Sequence, residues 1–309
     1  MALPLVLLNP GCNYGTGRRR WDKVCAGLRG RIGNFDVVEF GPADSVKDLA
    51  ARSLDAGVRF LVAAGGDGTV NVILNALFEL GRAGEVTLGA VGLGSSNDFH
   101  KPFRKEEFIA GHPARVGLDS ARPVDVIRID YTDRGAGGTR YCLLNASIGV
   151  TAEANAFFNS RSNVIRTLQR VSVDAAVTAA AVRTMLGFTN IPCRIKVDDD
   201  GELEFDVSNM GVIKRPNFAG SLCYDTPVAL DDGRMAVNVA HGLSFFGRIA
   251  AFVALSRGQF SGRPGTMITY GTRVEVSSPR GFAVELDGEI VRADRARFSV
   301  VPKGMKVCL

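Results

Sequence analysis

The first hundred residues alternate between short continuous apolar runs and longer stretches whose apolar positions lie three or four residues apart. The apolar runs predict strands, and the amphipathic stretches predict helices. Strands are predicted at residues 3–8, 35–40, 60–64 and 87–91, and helices at residues 18–28, 46–56 and 69–80. Because strands without polar alternation are buried on both faces, this order predicts a three-layer α/β domain with a parallel sheet. We assign residues 1–122 to it, with residues 300–309 as a candidate last strand.

From about residue 122 the pattern changes to shorter strands that are joined by turns. The sequence DDDG at residues 198–201 predicts a hairpin turn. Helices are predicted at residues 164–186 and 243–255. The predicted strands lie at residues 124–131, 141–147, 193–197, 202–210, 234–239, 273–278 and 282–285. Residues 123–299 are therefore expected to form a β-rich second domain of the sandwich type.

Composition excludes several classes of protein. Of the 309 residues, 46% are hydrophobic and 22% are charged, so extended disorder is not expected. Six scattered cysteines have no metal-type spacing, which predicts free thiols in a reducing cytoplasm. No apolar run reaches the about 18 residues of a membrane span, and the apolar N-terminus lacks the basic residues of a signal peptide. We therefore expect a cytoplasmic protein that reaches membranes only from their surface.

Positive charge is in moderate excess, with 37 Lys and Arg against 32 Asp and Glu and a formal net charge of +5. Basic residues recur in groups at residues 18–23, 101–105 and 214–215. Such groups are typical of a solvated surface, or of a protein attracted to nucleotides, nucleic acids or anionic lipids. The distribution of charge alone does not show which of these alternatives applies.

The strongest chemical signal is the sequence GGDGTVN at residues 65–71, between a predicted strand and a predicted helix. Glycines there let backbone N–H groups approach phosphate oxygens, and the helix N-terminus favours negative charge. The carboxylate of Asp67 would then lie among phosphate oxygens, which carry the same negative charge. A carboxylate is favourable there only if it binds Mg²⁺ or takes part in proton transfer. The alternative is a plain turn in which Asp67 caps the helix and no ligand is bound.

Two further loops follow the first and fourth predicted strands, NPGCNYGTG at residues 9–17 and GLGSSNDF at residues 92–99. Because ligands bind at the carboxyl ends of parallel strands, all three loops are expected to open on one edge of the sheet. The three loops lack a Walker A lysine and a dinucleotide GxGxxG sequence. This argues against P-loop and Rossmann cofactor chemistry.

With these loops, the sequences NASIG at residues 145–149, DDG at residues 231–233 and DGE at residues 287–289 complete a recognisable order of motifs. The chain resembles the diacylglycerol kinase catalytic family, which includes bacterial diacylglycerol and related lipid kinases and sphingosine and ceramide kinases. The resemblance runs from residue 5 to about residue 300, and it is more specific than the GGDG loop, which NAD kinases share. It implies transfer of the ATP γ-phosphoryl group to a lipid hydroxyl in a cleft between the two domains.

The resemblance also implies roles for individual residues. Asp67 and Glu289 would be catalytic, with Glu289 as the base that takes the proton from the lipid hydroxyl. Without this context Glu289 would be a plain hairpin carboxylate. Asp67, Asp98 and Asp125 resemble the acidic network that orders water and the catalytic Mg²⁺. The residues expected to bind ATP are Asn9, Pro10, Gly11, Cys12, Asn13, Gly65, Gly66, Asp67, Gly68, Thr69, Val70, Asn71, Gly94, Ser95 and Asn97.

A second, structural Mg²⁺ is implied at residues 229–234, with the sequence ALDDGR. Bacterial relatives hold this ion with one carboxylate and neighbouring backbone carbonyls. By position these are the Asp232 carboxylate and the carbonyls of Ala229 and Arg234. A simple Asp-Gly turn is the alternative for this segment.

The chain departs from the family pattern at several positions. Val72 stands where relatives usually carry Glu, and Ser95 replaces Thr but keeps the hydroxyl. Gly92 replaces a usual Pro, and Cys12 stands where a small or hydroxyl residue is common. None of these changes removes a proposed catalytic carboxylate.

The sequence therefore predicts a cytoplasmic lipid kinase that uses ATP and Mg²⁺. Its partners are expected to be a membrane lipid substrate and an anionic membrane surface, contacted peripherally, and no nucleic acid. A homodimer is an open alternative to a monomer. The competing functions are an NAD kinase and a catalytically silent lipid- or nucleotide-binding homologue. The sequence does not specify which lipid is phosphorylated.

Overall fold

The computed structural model describes residues 2–158 and 182–309. The chain forms two compact units, of which unit 1 comprises Met1–Val126 and Pro302–Leu309 and unit 2 comprises Ile127–Val301. The chain leaves unit 1 after residue 126 and returns to it at residue 302, near the boundaries that the sequence predicts at residues 122 and 299. A mixed α/β fold with a β-rich second unit is confirmed.

Unit 1 is organised around a run of strands that pair in parallel. Its strands are β1 (Leu5–Leu8), β2 (Asp36–Glu39), β3 (Phe60–Gly65), β4 (Thr87–Gly92), β5 (Phe108–Ile109) and β6 (His112–Arg115). β1 pairs in parallel with β2 and β3, and β3 pairs in parallel with β4. On its other side β4 pairs in parallel with Lys306 and Val307 and antiparallel with β6.

The helices of unit 1 follow its strands. They are α1 (Cys12–Gly15), α2 (Gly17–Ile32), α3 (Val46–Asp55) and α4 (Asp67–Glu79), with 3₁₀ turns at Ala83–Glu85, Asp98–His100, Lys105–Glu107 and Leu118–Ser120. α2 buries Trp21, Val24 and Leu28, which lie on one helical face and pack with apolar residues of the parallel strands. α3 begins at Ser45, whose Oγ accepts a hydrogen bond from the Asp48 backbone N–H.

Unit 2 is built mainly from antiparallel pairs. Its strands are β7 (Ala121–Asp133, which begins in unit 1), β8 (Ala136–Cys142), β9 (Asn145–Gly149), β10 (Ile191–Val197), β11 (Leu203–Ile213), β12 (Asn217–Phe218), β13 (Leu222–Cys223), β14 (Met235–His241), β15 (Thr266–Gly271), β16 (Arg273–Leu286) and β17 (Glu289–Cys308, which ends in unit 1). Two helices, α5 (Val150–Phe158) and α6 (Phe245–Ser256), accompany them. β10 and β11 pair antiparallel with Ile195 opposite Leu203, which confirms the predicted hairpin at residues 198–201.

Two strand predictions for unit 2 need correction. The strand predicted at residues 141–147 is interrupted between β8 and β9, because the backbone N–H groups of Leu143, Leu144 and Asn145 all donate to the Asp287 carboxylate. The strands predicted at residues 273–278 and 282–285 are one strand, β16, with a bulge between Ser277 and Phe282.

The helix predicted at residues 164–186 lies outside the described residues up to residue 181, and residues 182–187 are helical. None of the helices in residues 2–158 and 182–309 combines the length and the apolar character that a transmembrane span needs.

Candidate active site

The loops that follow β1, β3 and β4 meet in unit 1. The Leu93 backbone N–H donates to the Gly65 carbonyl at 2.7 Å, and the Asn9 backbone N–H donates to the Ala64 carbonyl at 2.9 Å. The Asn9 side-chain amide also donates to Thr69 Oγ1 at 3.1 Å, at the start of α4. The convergence of three loops that the sequence predicts is thus confirmed.

Two glycines allow the second and third loops to touch backbone to backbone. A Cβ atom on Gly94 would lie 2.6 Å from Gly66 Cα, and one on Gly65 would lie 2.2 Å from Thr69 Oγ1. A side chain at Gly94 would therefore push the two loops apart, and one at Gly65 would displace the Thr69 side chain. Gly68 differs, since a Cβ there would meet no atom within 4 Å. The Thr69 and Val70 N–H groups already donate to the Gly66 carbonyl, but the exposed Gly68 leaves the start of α4 open, where the helix N-terminus favours an anion.

The third loop is closed by its own residues and by an arginine. Asn97 has a left-handed backbone (φ 51°), and its Oδ1 accepts a hydrogen bond from the Gly94 N–H at 3.0 Å. Arg20 Nη1 donates to the carbonyls of Leu93 at 3.0 Å and Gly94 at 2.7 Å. The Asn97 amide is thus engaged within the loop. The sequence placed Arg20 only in a basic group, because its carbonyl partners lie more than seventy positions away.

The first loop is strained and tied to the third. Asn13 and Tyr14 have positive φ values of 48° and 56°, in the left-handed region that non-glycine residues adopt uncommonly. The Cys12 thiol donates to the Leu93 carbonyl at 3.7 Å. Burial raises the pKa of Cys12, and the nearby Arg20 charge offsets only part of that effect. Cys12 is therefore a neutral contact between loops.

Asp67 and Asp98 are close enough for their charges to interact. The half-buried Asp67 carboxylate accepts a hydrogen bond from the Phe99 N–H at 2.9 Å. Burial, and then the negative charge of Asp98, raise the pKa of Asp67 to about 6, although backbone N–H groups and Lys101 act in the opposite direction. Lys101 Nζ pairs with Asp98 Oδ1 at 2.6 Å. Two crowded carboxylates favour a cation beside them.

These two carboxylates fit a Mg²⁺ ion that completes its coordination with waters and phosphate oxygens, which is the usual arrangement for this metal. Asp125 is buried in unit 1, and its Oδ1 accepts a hydrogen bond from the Lys303 N–H at 2.9 Å. Across residues 2–158 and 182–309, no three His, Cys, Asp or Glu side chains gather closely enough to hold a metal. The network in which Asp67, Asp98 and Asp125 order water and Mg²⁺ therefore stays a prediction.

In unit 2, Glu289 begins β17 directly after a two-residue turn. Asp287 and Gly288 have φ values of 46° and 98°, the left-handed pair of a type I′ hairpin. Leu286 and Glu289 pair across this turn. Asp287 is held by the three backbone N–H groups of residues 143–145, so it fixes the turn and with it the position of Glu289.

Glu289 is the most available carboxylate of this hairpin. Glu285 accepts hydrogen bonds from the Gly288 N–H at 2.7 Å and from Ser147 Oγ at 3.0 Å. The Glu289 side chain is 40% exposed, and its Oε1 accepts a hydrogen bond from Arg140 Nε at 3.2 Å. Arg140 lies on β8, 149 positions away, and no sequence signal singles it out. The ion pair orients the Glu289 carboxylate.

The segment predicted to hold a structural Mg²⁺ binds an ammonium group instead. Lys214 Nζ donates to Asp232 Oδ1 at 2.9 Å and to the Arg234 carbonyl at 2.5 Å. These oxygens are two of the three ligands that the sequence predicts, the third being the Ala229 carbonyl. The ammonium already takes up both of these oxygens and balances the charge of Asp232, so the residues do not fit the metal. The structure therefore gives no support to the Mg²⁺ site predicted at Ala229, Asp232 and Arg234. Asp67 and Asp98 differ, because two carboxylates there lie beside the ammonium of Lys101.

Comparison with known proteins agrees with this geometry. Residues 4–129 match the family model described as the diacylglycerol kinase catalytic domain. Residues 146–309, more than half of the chain, match the model described as the YegS C-terminal NAD kinase beta sandwich-like domain.

Individual relatives cover most of the chain. A protein of Stenotrophomonas maltophilia (strain K279a) named "Probable lipid kinase YegS-like" is 26% identical over 84% of this chain and 81% of its own length. The diacylglycerol kinase of Bacillus subtilis (strain 168) is 24% identical over 79% of this chain and 74% of its own length.

Solved structures share the fold at lower identity. A crystal structure of a diacylglycerol kinase from Bacillus anthracis str. Sterne superposes with a TM-score of 0.67 at 15% identity, over 99% of this chain and 96% of that chain. A second structure from the same organism reaches a TM-score of 0.74 at 18% identity, over 99% and 97% of the two chains. With both family models matched in order along the chain, the protein belongs to the diacylglycerol kinase catalytic-domain family and is a kinase.

Proposed function

We propose that this kinase transfers the γ-phosphoryl group of ATP to a hydroxyl group of a membrane lipid of the diacylglycerol or sphingoid-base type. The observation that carries the proposal is the meeting of three loops beside Asp67, where Gly68 leaves the N-terminus of α4 open. That arrangement suits the phosphates of a nucleotide. The names of the relatives in the comparison support a lipid as acceptor.

In this proposal the loops of unit 1 bind the nucleotide phosphates. Gly66 and Gly94 keep two loops in backbone contact, and the first-turn N–H groups of α4 donate to phosphate oxygens. Asp67 and Asp98 would hold Mg²⁺, which when bound neutralises charge that develops on the transferred phosphoryl group. Lys101 holds Asp98 in place through its ion pair.

Glu289 of unit 2 acts on the acceptor. It takes the proton of the lipid hydroxyl as the hydroxyl oxygen bonds to the γ-phosphorus, and the bond from that phosphorus to the bridging β–γ oxygen breaks. The products are ADP and the phosphorylated lipid, with the proton on the Glu289 carboxylate. Arg140 orients this carboxylate through its Nε.

A kinase assay with radiolabelled ATP tests this function. The purified protein is offered diacylglycerol, monoacylglycerol, sphingosine, ceramide and phosphatidylglycerol in mixed micelles, and NAD in solution. We expect labelled product from at least one lipid and none from NAD. Label on NAD alone would favour an NAD kinase. ATP binding without labelled product from any acceptor would favour a silent homologue.

We also propose that the protein reaches its substrate by peripheral contact with anionic membrane, although not through every basic group that the sequence singled out. Residues 214–215 are buried, and Lys101 is only 11% exposed in its ion pair with Asp98. Residues 104–105 are exposed and follow Phe103, whose ring is 48% exposed. An exposed aromatic ring beside two cations suits a lipid headgroup layer.

Binding to phosphatidylserine vesicles is therefore expected to weaken as salt rises, with little binding to phosphatidylcholine vesicles. Each basic residue near the surface contributes about 1 kcal/mol, and salt screens this attraction within about 8–10 Å. Replacing Arg104 and Lys105 by Ser should weaken co-sedimentation on the order of tenfold. The control replaces Lys47 and Arg52 of α3 by Ser, with equal charge loss and little expected effect. Equal binding to both vesicle types at all salt concentrations would contradict electrostatic docking.

A further inference from the structure

Lys214 is a charged side chain in the interior of unit 2. It follows the last residue of β11, and 1% of the residue is exposed. Its backbone N–H and that of Arg215 both donate to the Leu144 carbonyl, at 2.8 and 2.9 Å. The backbone is therefore fixed at the point where the side chain leaves it.

The Lys214 ammonium joins β11 to the loop that precedes β14. Ile213 of β11 pairs with Ala236 of β14, so the loop at residues 229–234 lies beside the end of β11. The ammonium binds the Asp232 carboxylate and the Arg234 carbonyl, and the Arg234 N–H donates to the same Asp232 oxygen at 3.1 Å. The loop thus binds the side-chain ammonium of Lys214 in place of a separate ion.

Charge balance favours this cation over a metal. A buried charge is tolerated when it is paired and hydrogen-bonded, and here the Lys214 ammonium pairs with the Asp232 carboxylate. A divalent ion beside the ammonium would leave two positive charges uncompensated.

We propose that the Lys214 ammonium is the permanent cation of the 229–234 loop, so that unit 2 folds without the divalent metal ion that the family resemblance implies at this place. The inference is independent of the proposed function, because it concerns residues that take no part in phosphoryl transfer. If the protein needs Mg²⁺, it therefore needs the ion for catalysis. The stability of the 229–234 loop does not depend on a divalent metal.

Thermal unfolding of the wild-type protein, measured without nucleotide in EDTA and in Mg²⁺ or Ca²⁺, gives the first test. We expect the same Tm in all three solutions. The Asp67→Asn variant is measured in parallel, because it removes a carboxylate of the catalytic metal site in unit 1. A Tm that rises with metal in both proteins would overturn the proposal.

Removing the ammonium gives the second test. Lys214→Ala leaves the Asp232 carboxylate and the Arg234 carbonyl facing a space, and its Tm in EDTA should fall on the order of 10 °C. Mg²⁺ or Ca²⁺ should restore part of this loss, and Tb³⁺, a luminescent probe of oxygen-ligand sites, should gain a site that Lys214→Ala/Asp232→Asn lacks. Lys196→Ala, on β10, is the matched control and should show no metal response.

Each remaining outcome also decides the matter. A Lys214→Ala protein that is as stable as the wild type in EDTA, or that gains no response to metal or Tb³⁺, would contradict the role of the ammonium. If the variant does not fold in EDTA, folding that is recovered by added Ca²⁺ supports the proposal. The comparison of wild-type Tm values with and without metal tests the proposal whether or not the variant folds.

Discussion

Asp67→Asn is expected to lower kcat by about 100-fold or more while the protein stays folded. The change keeps the size of the side chain and an oxygen that can accept the Phe99 N–H, but it removes the negative charge that we place beside Mg²⁺. Loss of one preorganised electrostatic group typically costs two to three orders of magnitude in rate. The Tm should not fall, because Asn also removes a buried charge that Asp98 repels. Steady-state kinetics and thermal unfolding of the same preparation measure both effects.

Asp119→Asn is the control for this variant. Asp119 is an exposed carboxylate of unit 1, in the 3₁₀ turn Leu118–Ser120, so the same chemical change there should leave kcat within about twofold. Near-normal activity of Asp67→Asn would remove Asp67 from the mechanism.

Glu289→Gln is expected to lower kcat by about 100-fold or more with little change in ATP affinity, since a positioned general base contributes about 10²–10⁴ in rate. The amide oxygen can still accept the Arg140 Nε–H, and Asp287 still fixes the turn through three backbone N–H groups. The variant therefore loses the base but keeps the local geometry. Lipid turnover measures the first effect, and calorimetric titration with ATP measures the second.

Glu202→Gln, on the exposed hairpin between β10 and β11, is the matched control in unit 2. It should match the wild type in both measurements. If Glu289→Gln lost ATP affinity and kept kcat, the assignment of Glu289 to the lipid hydroxyl would be wrong.

The meeting of the three loops could be predicted because its signals are local in sequence. Each loop lies directly after a strand with no polar alternation, and parallel pairing of β1, β3 and β4 brings their carboxyl ends together. The glycines at 66 and 94 are required by the contact between two loops that this convergence creates, and Gly65 by the Thr69 side chain of its own segment. The pattern of strands and glycines therefore predicted where in the fold the three loops meet.

The parts that could not be predicted depend on partners distant in sequence. Asp287 interrupts a predicted strand from 142 positions away or more, and Arg140 reaches Glu289 across 149. Lys214 and Arg215 have the composition of a solvated basic group, and only the position of the 229–234 loop reveals that Lys214 is a buried counter-ion. Local pattern does not specify which distant carboxylate a lysine will meet.

The pairing of Lys306 and Val307 with β4 bears on how the chain folds as the ribosome makes it. Unit 1 draws on residues from both ends of the printed sequence, whereas unit 2 is continuous. One edge of β4 therefore lacks its parallel neighbour until more than two hundred further residues have been synthesised. An unpaired strand edge is a template for association with other chains. Nascent chains halted before residue 306 should consequently depend most on chaperones, and unit 2 can complete its fold before unit 1 does.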